Sequence, residues 1–117
     1  MKWLVCGGRD ITDWRRVHAT LDVAAEELGE PSIVIHGDCN GVDRHARDWA
    51  TWRGIHAAAM PALWDAHGQA AGPRRNGAML LLCPDVVIAL PGGRGTADMV
   101  SQARAAGVRV IQAKEAT

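Results

Sequence analysis

Phenylalanine and tyrosine are absent from the 117 residues, and lysine occurs only as Lys2 and Lys114. Two isolated lysines and no G-x-x-x-x-G-K-[ST] sequence exclude a P-loop ATPase. Serine is as scarce, with Ser32 and Ser101 alone and no G-x-S-x-G elbow around either, which argues against serine hydrolysis. No G-x-G-x-x-G follows the first apolar run, so dinucleotide-dependent hydride transfer lacks its fingerprint. The cysteines Cys6, Cys39 and Cys83 are odd in number and form no C-x-x-C pair. A disulfide framework or zinc knuckle is therefore disfavoured, and a reducing cytoplasm is the expected location. The histidines (His18, His36, His45, His56, His67) show no ligand spacing, and surface or helix positions are expected for most of them. No metal and no cofactor is expected. No apolar run approaches the roughly 18–20 residues of a membrane span, and no signal-peptide pattern precedes Lys2. Thirteen basic residues balance thirteen acidic ones, leaving no excess charge for a polyanion. General nucleic-acid binding is disfavoured accordingly.

What remains is a chain rich in short apolar runs and glycine. Strand patterns fall at Lys2–Cys6, Ser32–His36, Ile55–Met60, Asp85–Leu90 and Val108–Gln112. Their central residues, Leu4-Val5, Ile33-Val34-Ile35 and Val86-Val87-Ile88-Ala89, are apolar at consecutive positions. That pattern marks strands buried on both faces, as in a parallel sheet. Helical patterns lie between them. The first runs from about Trp14 to Leu28, capped by Thr12 or Asp13 and closed at Gly29, with a stripe of Trp14, Val17, Leu21, Ala25 and Leu28. The second runs from Val42 to Arg53 and stops at Gly54, with Trp49 and Trp52 facing the sheet or a partner subunit. The third begins near Pro73 and ends before Pro84. The fourth starts near Thr96 and ends at Gly107, with Met99, Val100 and Ala103 inward. Pro61–Gly72 reads as the one long irregular connection, where functional loops tend to occur.

Strict β-α alternation predicts a single α/β domain over residues 1–117. Its Rossmann-like three-layer fold has a five-stranded parallel sheet in the order 3-2-1-4-5 and helices on both faces. Three glycine-rich segments each join a strand to a helix: Gly7-Gly8-Arg9-Asp10, Gly37 to Asp43, and Pro91-Gly92-Gly93-Arg94-Gly95-Thr96. All three fall at the strands' C-terminal ends, beside the switch point between strands one and four. Missing Cβ atoms let backbone N–H groups close on an anion, and helix N-termini favour phosphate. Arg9 and Arg94 can add bidentate contacts. Glycine also ends strands for geometric reasons alone, and that reading stands beside the phosphate one for Gly37–Gly41.

Trp64-Asp65 to Gly68, Ala71-Gly72-Pro73-Arg74-Arg75-Asn76 with Met79, Pro84-Asp85 and Pro91 to Thr96 together resemble the YspA-type, cpYpsA-related branch of the SLOG superfamily. Gly7 to Asp10 and His36-Gly37 to Asp43 with Ala46 fit the same branch. The resemblance implies a domain that binds nucleotides or nucleotide-derived ligands, with Gly7, Gly8, Arg9, Gly37, Asp43, Asn76, Gly92, Gly93, Arg94, Gly95 and Thr96 as ligand contacts. It also suggests a homodimer.

A more distant similarity, to the LOG phosphoribohydrolases, aligns their R-K-x-x-M and P-G-G-x-G-T-x-E signatures with Arg75 to Met79 and Pro91 to Asp98. It implies Arg75 and Asp98 as the reaction-centre pair for hydrolysing the N-glycosidic bond of a nucleoside 5′-monophosphate. A carboxylate there would stabilise the positive charge that develops on the ribose. Asn76 stands in place of the motif lysine and Asp98 in place of the glutamate. Asp43 is expected to support the second helix or reach a ribose, and Trp64 to stack a base or anchor packing. A non-catalytic sensor or sequestering protein for a nucleotide signal, such as an ADP-ribose derivative, is the competing class. Single-stranded DNA binding is the third.

Overall fold

Consecutive apolar residues in the central strands leave no face for water, so helices must cover both sides of the sheet. The computed structural model describes residues 1–113 and shows that outcome. The strands are β1 (Lys2–Cys6), β2 (Ile33–His36), β3 (His56–Ala59), β4 (Val86–Ala89) and β5 (Arg109–Gln112). They pair in parallel in the order β3-β2-β1-β4-β5, with Leu4 opposite Ile35 on one side and Val87 on the other. The helices are α1 (Trp14–Leu28), α2 (Val42–Trp52), α3 (Trp64–His67), α4 (Ala71–Leu80) and α5 (Arg94–Ala105).

Alternation along β1 divides the core in two. Trp3 and Val5 join Val17, Leu21, Val42 and Trp49 of α1 and α2, while Leu4 and Cys6 join Met79 of α4 and Met99, Val100 and Ala103 of α5. Trp3 stacks on Trp49 with ring centroids 5.6 Å apart and planes 14° from parallel. Such a pair adds about 0.5–1.5 kcal/mol beyond its burial. The Trp49 indole Nε1 donates to Asp22 Oδ1 at 2.9 Å, so its polar end is satisfied. Trp52 does not share this placement. It is 76 % exposed and lies against Trp14 and His18 instead of the sheet.

Helix ends bear out the expected bounds of α1 and correct those of α4 and α5. Asp13 caps α1, its side chain accepting from the Arg15 N–H, and Gly29 closes it with φ +84°. The segment 61–72 is not wholly irregular: it carries α3 and a 3₁₀ turn over Gly68–Ala70. That turn feeds α4 at Ala71, two residues before Pro73, and α4 ends at Leu80. Pro73 is tolerated because amides in the first turn lack intrahelical partners anyway. α5 starts at Arg94 with Gly93 as N-cap, so Thr96 lies inside the first turn and does not cap it. His36 is also not at the surface; it is buried at the end of β2. Burial pushes its imidazole below the ordinary value, and Nδ1 accepts from the Asp38 N–H at 3.0 Å. No described helix is long and apolar enough to cross a membrane.

Candidate functional site

A parallel sheet in this order opens a crevice beyond the C-terminal ends of β1 and β4. The loops bounding it are bonded to one another through Gly8. Its N–H donates to the Pro91 carbonyl at 2.8 Å, and its own carbonyl accepts from the Val42 N–H at 3.2 Å. Close approach explains the glycines at this joint. A Cβ on Gly92 would lie 2.9 Å from the Gly8 nitrogen, and one on Gly8 would lie 3.0 Å from the Pro91 oxygen. Gly41 has φ +81°, and a Cβ there would collide with the Gly8 carbonyl oxygen. Gly7 is packed likewise, its missing Cβ occupied by the Val42 side chain. Gly93 and Gly95 differ: a Cβ on either would meet no heavy atom within 4 Å.

The second loop turns its amides inward. The buried Asp43 carboxylate, on the first turn of α2, accepts from the Gly37 N–H at 3.1 Å and the Cys39 N–H at 3.2 Å, both on Oδ2. Asp43 thus serves as an internal anion for this loop. Asp38 assists the turn with φ +56°, a conformation Asp tolerates better than most residues. Burial pushes the Asp43 carboxyl up to about 6 from its ordinary 3.8, opposed by the Cys39 N–H, Arg75 and the Gly37 N–H. The same environment, burial first and the Asp43 charge second, raises the Cys6 thiol to about 12. Cys6 is therefore a protonated core residue.

Arg75, Asn76 and Asp98 form one connected group. Arg75 Nη1 donates to the Gly37 carbonyl at 2.9 Å, and its Nε donates to Asn76 Oδ1 at 3.0 Å. Asn76 is 3 % exposed, and its Nδ2 donates to Asp98 Oδ2 at 2.9 Å and to the Gly95 carbonyl at 3.1 Å. The amide thus joins the arginine to the carboxylate and ties α4 to the first turn of α5. Gln102, which sequence reasoning passed over, donates to the same Asp98 Oδ2 at 2.7 Å and to the Pro73 carbonyl at 3.0 Å. Its signal was available: Gln102 lies four residues from Asp98 on one face of α5.

The arginines of the first and third loops stay outside this group. Arg94 is exposed, with no hydrogen bond or ion pair among the described residues. Arg9 is exposed too, its Cζ lying 5.6 Å from the centre of the Trp64 ring.

Sheet order and glycine joint together define a Rossmann-like α/β fold in which the loops following β1 and β4 meet at the switch point. Residues 1–67 match the model of the YspA, cpYpsA-related SLOG family, and the chain belongs to that family. The gene 61 protein of Mycobacterium phage D29 is 35 % identical over 109 residues, covering 84 % of this chain and 86 % of that protein. No solved structure matches the chain.

Proposed function

We propose that this chain binds a nucleotide-type ligand, with its phosphate at the start of α5 and its sugar over the Arg75–Asn76–Asp98 group. The observation that carries this reading is the uncapped α5 N-terminus. Gly93 makes no side-chain cap, and the first turn holds no acidic residue. By contrast, Asp13 fills the start of α1, and Asp43 fills the loop before α2. Free N–H groups and the positive end of a helix dipole favour a phosphate. The missing side chains of Gly93 and Gly95 leave it room. Family membership supports a nucleotide-related ligand.

AMP is a suitable probe. At a hundredfold over its dissociation constant it should add about 2.7 kcal/mol to the stability. In a domain this small that raises Tm by several degrees. Gly93→Val adds a Cβ that meets no heavy atom within 4 Å beyond its chain neighbours, so it should fold normally and lose the shift. Arg75→Ala should reduce it. A calorimetric scan in which Gly93→Val keeps the full shift would place the phosphate elsewhere.

A second reading, cleavage of the N-glycosidic bond of a nucleoside 5′-monophosphate, is favoured by the arrangement at Asp98. Asn76 and Gln102 both donate to Oδ2, while Oδ1 receives no hydrogen bond among the described residues. An oriented carboxylate with one free oxygen is what charge development on a ribose requires.

A further inference from the structure

We propose that Trp64 is the platform on which the ligand's base stacks, and that Arg9, which lies over its ring, gives way to the base; this rests on the phosphate reading above. Trp64 opens α3 and is 47 % exposed; the other exposed tryptophans, Trp14 and Trp52, lie against each other, whereas Trp64 meets no aromatic ring among the described residues. Its ring meets residues from two other segments. On one face stands the Arg9 guanidinium, delivered by the loop that contains Gly8. At its edge is α4, where a Cβ on Gly72 would lie 3.4 Å from Trp64 Cη2. The ring also borders an open hollow of about 320 Å³ bounded by Ala62, Leu63, Asp65 and Ala66, so solvent reaches it.

The contacts along the crevice have an order. The indole stands where a side chain on Gly72 would reach, and Arg75 and Asn76 follow three and four residues later on the same face of α4. That separation is about one helical turn of 5.4 Å. Asn76 in turn bonds to Gly95, in the first turn of α5. Read from Trp64 to Gly95, the sequence is flat ring, sugar-binding group, phosphate seat. It is the order of base, ribose and phosphate in a nucleotide.

Arg9 suits a temporary cover. An exposed cation–π pair is worth roughly two- to fivefold in an equilibrium, whereas stacking a base on an aromatic ring is worth roughly five- to 150-fold in affinity. A base therefore displaces the guanidinium, which is then free to pair with the phosphate. The ligand class that follows is a nucleotide with its base attached, in preference to a sugar phosphate.

Titration calorimetry with AMP and with ribose 5-phosphate tests this on wild type, Trp64→Ala and Trp64→Phe. Circular dichroism checks that each variant is folded. Trp64→Ala should weaken AMP by about tenfold or more and leave ribose 5-phosphate within twofold, with Trp64→Phe recovering most of the AMP loss. Equal losses for both probes, or none for AMP, would overturn the platform and leave the phosphate reading standing. Failure of both probes to bind wild type would overturn the phosphate reading and the platform with it.

Discussion

Asp43→Ala should lower the stability at neutral pH by about 2–4 kcal/mol, because it orphans two backbone N–H donors inside the fold. For a domain of this size the loss corresponds to a fall in Tm of roughly 10 °C. Asp43→Asn should be far milder, since a carboxamide oxygen can accept from the same Gly37 and Cys39 amides that bond Oδ2. The pair separates hydrogen bonding from charge. An alanine variant as stable as the asparagine one would show that the loop does not depend on this acceptor.

The charge has its own signature. Burial holds the folded carboxyl near 6, while the unfolded one releases its proton near 3.8. Between those values the native state binds more protons than the unfolded state, so stability falls as pH rises through that window. The total is about 3 kcal/mol, at 1.36 kcal/mol per pH unit. Above the folded value the contribution is constant. Asp43→Asn should flatten this part of the profile, and an unchanged slope in urea titrations at pH 4.5 and 6.5 would assign it to other groups.

Asp98 carries the other large effect. The related glutamate is longer by one methylene, and its loss withdraws a carboxylate by roughly 1.5 Å, about one carbon–carbon bond. Misplacement on the order of 1 Å costs about a hundredfold in rate. The chain should accordingly release free base from AMP, GMP, CMP or UMP slowly while binding them normally. Asp98→Glu restores the missing methylene and should raise hydrolysis by up to about a hundredfold. Asp98→Asn should abolish it. Chromatography of free base decides the matter. Turnover that survives Asp98→Asn would remove this residue from the reaction. Binding without turnover in either wild type or Asp98→Glu would favour a sensor or sequestering protein.

The sheet was legible in the sequence because its signal is local and repeated. Leu4-Val5 and Val86 to Ala89 are apolar at every position, and a strand buried on both faces follows directly. The three glycine loops were legible as punctuation, each between a strand and a helix. Their inner wiring was not. That Asp43 turns back onto Gly37 and Cys39 depends on how α2 sits on the sheet, and spacing alone cannot show it. α3 has four residues, too few to display a period, and its exposed Leu63 neighbour reads as loop. The α5 boundary was missed because Gly95 looks like a loop residue, although it lies in the first helical turn. Trp49 and Trp52 share a face by spacing, yet only one is buried. Trp49 stacks on Trp3 of β1, whereas Trp52 meets Trp14 and His18 of α1.

Gly8 gives the three loops a common fate. Its N–H belongs to the Pro91 segment and its carbonyl to Val42, so neither neighbouring loop can open without breaking a bond that also holds the first. Local opening is then a single cooperative event across the crevice, in place of three independent fluctuations. Amide hydrogen exchange at Gly8, Val42 and Gly37 should share one opening free energy. A phosphate that touches only Gly93 to Thr96 should slow exchange at all of them, including sites it never contacts.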